Sequence, residues 1–269
     1  MGIIESVERE LNKSGAEVTS IGKSVCGNDI LCAHCGSYSG KQIIITAAIH
    51  ARECYTALVA LRQIRDFSAA RGGAYFIPLV NPDGAAFFES GVTFGKPLLE
   101  KNAHNHRAWK ANADGVDLNC NFDANFGSGA QQTAKKPAAH GYVGEYPLCA
   151  PESRALERFT RFVMPAATVS YHCMGGELYW QFYQDSPYRE RDKAFADAVA
   201  KHIGVKRVDG ELDSAGGYKD FCVQKLKIPA VTVELIASGK HPFAPSDYAA
   251  DIEKNADLPK FILDYLYRE

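Results

Sequence analysis

The chain has 269 residues, 46% hydrophobic and 23% charged, the balance of an ordinary globular protein rather than a disordered or fibrous one. Its 30 basic and 32 acidic residues leave a net charge of −2. That excludes a nucleic-acid binder working through a strong overall positive field. The best apolar run, residues 43–49, falls far short of the ~20 residues that span a bilayer.

The first residues, MGIIESVERELNKSG, carry acids where an export signal needs a positive flank, so the expected location is the cytoplasm, with no membrane partner. Eight cysteines are too sparse in a chain this long for a disulfide-stapled scaffold, and free thiols are expected. Cys32-Ala33-His34-Cys35 is a single C-x-x-C with no second ligand pair nearby. A closed structural zinc site needs four ligands, so the pair reads as two thiols near a hairpin turn.

Apolar residues at Ile3, Ile4, Val7 and Leu11 predict a helix over residues 3–13. Asn28-Asp29 and Ser39-Gly40 punctuate short strands. The β-branched run at 43–49 predicts a strand buried on both faces. A helix is expected over 54–70, then a buried strand over 74–80 that ends in a turn at Asn81-Pro82-Asp83-Gly84. Residues 95–150 are rich in Gly, Asn, Pro and His and read as a long functional loop, too polar for core. Helices at 151–162, 187–203 and 249–267 then flank strands at 167–171 and 230–235. Strands alternating with helices mean an α/β layered fold, and one shared sheet using residues 1–269 means one domain.

Chemistry gathers at the strand ends. His50-Ala51-Arg52-Glu53 follows the first buried strand directly, where α/β proteins place ligands. His50 and Glu53 are three apart, so both can face one point, and an imidazole and a carboxylate facing one point suit zinc. An isolated H-x-x-E is most often solvated surface. A third ligand belongs at another strand end, and His172 stands there, before the turn Cys173-Met174-Gly175-Gly176. Glu234 closes a third apolar strand, where a carboxylate loses solvation unless wet or paired. Beside a zinc-activated water it is a general base.

With these residues in place, the sequence resembles the zinc carboxypeptidases, the M14 metallopeptidases. His50-Ala51-Arg52-Glu53, Asn81-Pro82-Asp83-Gly84, Gly115-Val116-Asp117-Leu118-Asn119, Ser170-Tyr171-His172 and Thr232-Val233-Glu234 match in the family's order. The resemblance implies an α/β/α sandwich around a mixed, mostly parallel sheet. It implies one Zn2+ per chain on His50, Glu53 and His172, with Glu234 as base and proton shuttle. Trp109-Lys110-Ala111-Asn112, Gly175-Gly176-Glu177-Leu178-Tyr179-Trp180 and Ala215-Gly216-Gly217-Tyr218-Lys219-Asp220-Phe221 look most like short bacterial members acting on cell-wall peptides. Such enzymes hydrolyse the γ-D-glutamyl–meso-diaminopimelate bond of murein peptides.

Three departures bear on substrate. Where digestive members follow the loop asparagine with a carboxylate-clamping arginine, Asn119 is followed by Cys120, and a thiol makes no bidentate charged contact. Arg52 and Asn119 remain as substrate-binding residues. The family's mobile tyrosine falls by ungapped count on Leu212, so that tyrosine is absent or its job passes to Tyr218. Lys219 falls where side-chain preference is set and favours an acidic partner. The oxyanion arginine falls on Lys110, with Arg107 as competitor. His104, His106, His140, His202 and His241 have no partner pattern and read as surface or loop histidines.

The expected activity is metal-assisted hydrolysis of an amide in murein peptides. The alternatives are an N-acyl amino acid deacylase, an ordinary metallocarboxypeptidase and a non-catalytic peptide-binding module. Glu234 argues against the last, because binding alone needs no base.

Overall fold

The structure is a computed structural model that describes residues 2–210 and 214–268. Helix α1 (Ile3–Lys13) buries Ile3, Val7 and Leu11 along one stripe, as their spacing dictates. Strands β1 (Glu17–Lys23) and β2 (Asp29–Gly36) pair antiparallel. Strand β3 (Gln42–Thr46) sends Ile43 and Ile45 into one core and Ile44 into the other, the pattern of a strand covered on both faces. It ends earlier than the apolar run because Ala48 takes a left-handed backbone (φ 54) and turns the chain out of the ladder.

The helix expected from residue 54 is preceded by a 3-10 turn, Ala51–Thr56, and α2 proper is Ala57–Arg65. Strand β4 (Gly73–Ile77) follows. Asn81-Pro82-Asp83-Gly84 is not an isolated turn. It opens helix α3 (Pro82–Ser90), with Pro82 in the first turn and Asn81 Oδ1 accepting the Gly84 N–H at 3.0 Å.

Residues 95–150 also depart from expectation. They hold helix α4 (Pro97–Asn102) and two 3-10 turns, Ala103–Ala108 and Leu118–Cys120, and they bury Trp109, Asn112, Asp117 and Phe122. Polarity does not force this segment outward, because buried groups such as Asn112 and Lys110 find hydrogen-bond partners. Asn112 accepts from the N–H groups of Asp114 and Val116 and donates to Glu152 Oε2 at 3.0 Å.

The remainder runs α5 (Pro151–Val163), β5 (Ala167–Cys173), β6 (Glu177–Tyr179), α6 (Tyr188–Ile203), β7 (Lys206–Val208), α7 (Tyr218–Gln224) and β8 (Ala230–Leu235). A single last helix was expected; α8 (Ala249–Asn255) and α9 (Leu258–Leu266) replace it. Pro259 in the first turn of α9 has no N–H to continue the preceding helix.

The strands form one sheet in the order β1-β2-β4-β3-β5-β8-β6-β7. The central run β4-β3-β5-β8 is parallel, whereas β1, β2 and the β6–β8 pairing are antiparallel. One core packs α1, α2, α3, α6 and α9 on one face, and the other packs α5 and α7 on the opposite face. This is the three-layer α/β/α sandwich expected around a mixed sheet. Strand β3 lies between β4 and β5, so the chain turns to opposite sides after β3, the switch point where such sheets hold ligands.

Asn81 is fully buried, and its amide also donates to the carbonyls of Ile49 (3.3 Å) and Ala111 (3.1 Å). Asn81→Ala leaves these partners unpaired and should lower unfolding free energy by about 2–4 kcal/mol. Urea titration measures this, and an unchanged midpoint would show that the cap carries no such weight.

Candidate active site

His50 lies just beyond β3, and His172 sits near the end of β5, its neighbour in the sheet. The 3-10 turn after His50 brings Glu53 round to face it. Thr56 fixes that turn: its Oγ1 accepts the Ala48 N–H at 2.9 Å and donates to the Glu53 carbonyl at 2.8 Å.

Three candidate ligand residues meet there. His50 Nδ1 lies 2.9 Å from Glu53 Oε1 and 3.2 Å from His172 Nδ1, which lies 3.2 Å from Glu53 Oε2. All three residues are buried. With one donor atom taken from each residue, all three lie within 4.8 Å of one another. Two imidazoles and one carboxylate are also the donor set of a catalytic zinc site, so the residues fit that ion. Burial pushes the Glu53 carboxyl up, but the His50 and His172 imidazoles outweigh it and hold it well below the usual range.

Asp117, whose role the sequence does not reveal, organises the far side of His50. Its Oδ1 lies 3.4 Å from His50 Nε2, while its Oδ2 accepts from Lys110 Nζ at 3.0 Å and from the Gly141 N–H at 3.1 Å. An acceptor-only carboxylate beside Nε2 favours the tautomer that keeps the Nδ1 lone pair for a metal. Burial raises the Asp117 pKa, but Lys110, then His50, overcome it and hold it far below the usual range. Burial works against the Lys110 cation, yet Asp117 leads the neighbours that raise its pKa, so it stays charged. The Lys110 carbonyl accepts from Ala51 N–H at 2.9 Å, which ties the polar segment to the metal-ligand turn.

Glu234 is the ladder partner of His172, one strand over on β8. Burial raises its carboxyl to about 7, and Glu53 adds to this while His172 opposes it. A cation on the triad draws that value down again.

His50, Glu53, Lys110, His172 and Glu234 line one cavity of about 650 Å³. Arg52, Asn119, Cys120 and Lys219 line it as well. The Cys120 thiol is pushed up to about 12, first by burial and then by Asp117, so it is neutral. Lys219 is not a free solvated cation: it donates to the Gln181 carbonyl at 2.9 Å and pairs with Asp220, which also lines the cavity.

Two expected residues stand elsewhere. Arg107 is absent from the cavity lining, and its guanidinium lies over the Phe88 ring, 4.5 Å from the centroid. Tyr218 is buried in the core beside α5, its hydroxyl 2.8 Å from Thr160 Oγ1, and its side chain does not line the cavity. The backbone explains the latter, since Gly217 and Lys219 on either side do line it. Leu212, where the mobile tyrosine falls by count, lies outside the described residues. His241, expected as a surface or loop histidine, lies in the loop after β8 and also lines the cavity, with Nε2 donating to the Cys173 carbonyl at 3.1 Å. Its only sequence signal is position, a few residues beyond Glu234.

An α/β/α sandwich with a buried His-Glu-His cluster at its switch point defines a metallohydrolase-type centre. Residues 4–258 match the zinc carboxypeptidase family model, and the chain belongs to that family of metallopeptidases. It is 30% identical over 253 residues to gamma-D-glutamyl-L-diamino acid endopeptidase 1 of Lysinibacillus sphaericus, covering 86% of this chain and 63% of that protein. Among solved structures, bovine thrombin-activatable fibrinolysis inhibitor shares the fold with a TM-score of 0.82 and 18% identity, covering 100% of this chain and 97% of that one. Murein-tripeptide amidase MpaA of Escherichia coli O157 does so with a TM-score of 0.66 and 20% identity, covering 93% and 95%.

The purified protein should bind one zinc ion per chain, measured by atomic absorption. Asp117→Asn should weaken zinc affinity about 10–100-fold, the usual effect of losing a partner of a ligating histidine. Affinity unchanged in that variant would show that Asp117 does not support His50.

Proposed function

We propose that the protein is a zinc-dependent peptidase acting on murein-derived peptides inside a bacterial cell, cutting the amide between γ-D-glutamate and meso-diaminopimelate. The observation that carries the hydrolytic reading is the register of β5 and β8, which sets Glu234 beside His172 at the rim of the metal-ligand cluster. His50, Glu53 and His172 would hold the zinc, which polarises a carbonyl and acidifies water when bound.

The remaining roles fall to side chains. Glu234 takes a proton from the attacking water and returns it to the departing nitrogen. Its carboxyl lines the cavity beside His172, where it can reach a water at the cluster. Lys110, charged and held by Asp117, supports the oxyanion as a point charge without the planar fork of an arginine. Asn119 is held in the wall by the Tyr218 N–H, which it accepts at 3.0 Å.

Two features support the substrate. A neutral thiol at Cys120 offers a terminal carboxylate no charge-assisted clamp. The Lys219–Asp220 pair sets opposite charges side by side in the cavity wall, which suits a diamino acid whose far end bears both ammonium and carboxylate. The similarity to a protein named for γ-D-glutamyl-diamino acid cleavage agrees with this reading.

Glu234→Gln should retain zinc and lose on the order of 10²–10⁴ in turnover of a muropeptide tripeptide. Turnover within a few-fold of wild type would remove Glu234 as the base. Mass spectrometry of the wild-type digest should show diaminopimelate released. Release of amino acids from N-acyl amino acids alone would favour a deacylase.

Lys219→Met should raise KM for the diaminopimelate peptide by about tenfold or more, yet change little for a lysine analogue lacking the far carboxylate. Equal effects on the two substrates would mean that Lys219 serves only the local fold.

A further inference from the structure

Arg52 Nε and His241 Nδ1 are among the buried polar atoms of cavity residues that have no hydrogen-bond partner, with His50 Nε2, Gln132 Oε1 and Asp220 Oδ1. Arg52 comes from the 3-10 turn Ala51–Thr56, and His241 from the segment after β8. Both are tied to the ligand cluster through local structure. The Cys173 N–H donates to Glu53 Oε2 at 3.2 Å, and the Cys173 carbonyl accepts from His241 Nε2 at 3.1 Å.

That second bond sets the tautomer. A carbonyl only accepts, so Nε2 carries the proton and the neutral ring keeps a lone pair on Nδ1. The cavity therefore presents a cationic donor and a lone-pair acceptor that do not satisfy each other. Asn119, Lys219 and Asp220 line the cavity from other segments, the 3-10 turn Leu118–Cys120 and helix α7.

We propose that Arg52 and His241 form the subsite for the acyl side of the scissile amide and select a γ-linked glutamyl residue through its α-carbon. In a γ-linked glutamate that carbon bears a free carboxylate and, when acylated, an amide N–H. Arg52 takes the carboxylate, and His241 Nδ1 accepts from the N–H. An α-linked residue has used its α-carboxyl in the scissile bond and offers no such pair. His241 is thus a specificity-determining residue, and the assignment rests on the γ-glutamyl reading given above.

The test uses the zinc-loaded enzyme and three synthetic substrates. These are L-alanyl-γ-D-glutamyl-meso-diaminopimelate, its analogue methylated on the glutamyl nitrogen, and its analogue with the glutamyl α-carboxylate amidated. Each modification should lower wild-type kcat/KM by about tenfold or more, the size of one hydrogen bond. His241→Phe should lose about as much on the parent peptide and become indifferent to N-methylation, while still penalising amidation. Arg52→Met should show the reverse pattern. His241→Asn, which keeps an acceptor near the Nδ1 position, should recover sensitivity to N-methylation.

A wild-type enzyme that cuts the parent peptide but ignores both modifications overturns the subsite. So does a His241→Phe enzyme as sensitive to N-methylation as wild type. Because the wild-type comparison needs no variant, a misfolded His241→Phe protein does not remove the test. Wild type that leaves the γ-glutamyl peptide intact while cutting an α-linked one overturns the γ-glutamyl reading, and the subsite with it.

Discussion

Two buried carboxylates, Glu53 and Asp117, flank the His50 imidazole, and the site depends on how their charge is balanced. Asp117 has Lys110 as its counter-charge and the Gly141 N–H as a further donor. Glu53 has the two imidazoles and the Cys173 N–H, but no lysine or arginine completes an ion pair with it among the described residues. A buried anion held against two ring nitrogens calls for a cation at the point where they meet. The same arrangement makes the centre selective for a small ion taking nitrogen and oxygen donors.

Topology supplies this balance from distant parts of the chain. The parallel ladders β3–β5 and β5–β8 bring the His50 end, His172 and Glu234 into adjacent positions at one edge of the sheet. The long polar segment brings Lys110 and Asp117 to the opposite side of His50. It is fastened there by backbone hydrogen bonds from Ala51 N–H to the Lys110 carbonyl and from Lys110 N–H to the Ala139 carbonyl. Buried polar chain is stabilised when its donors and acceptors are paired, and this segment pairs Lys110 with Asp117, Asn112 with Glu152 and the Lys110 carbonyl with the metal-ligand turn.

Much of this was legible in the sequence. The β-branched run announced β3, and the histidine and glutamate beyond it announced a ligand turn, because a strand end leaves little freedom in where the next residues point. The stripe of Ile3, Val7 and Leu11 gave α1 with its bounds. Other features depend on tertiary contacts that no local pattern encodes. Asn81 looked like a turn residue because Asn, Pro and Gly serve both turns and helix starts, and only its bonds to Ile49 and Ala111 distinguish the two. Tyr218 looked like a stand-in for the family's mobile tyrosine, yet adjacent residues on a helix face different directions, and its ring turns into the core while Lys219 lines the cavity. Lys219 reads as a lone cation until Asp220 and the Gln181 carbonyl are seen beside it. His241 is invisible for the opposite reason: its role is set by a backbone carbonyl sixty-eight residues away in sequence.

The central claim is that the three converging atoms hold the metal by nitrogen and oxygen alone, although Cys120 and Cys173 also line the cavity. X-ray absorption at the zinc edge of the loaded protein tests this directly. The account predicts a first shell of light scatterers at about 2.0–2.2 Å, two of them imidazoles, with no sulfur. A zinc–sulfur distance of about 2.3 Å would instead put a cysteine in the shell and contradict the assignment of His50, Glu53 and His172 as the protein ligands.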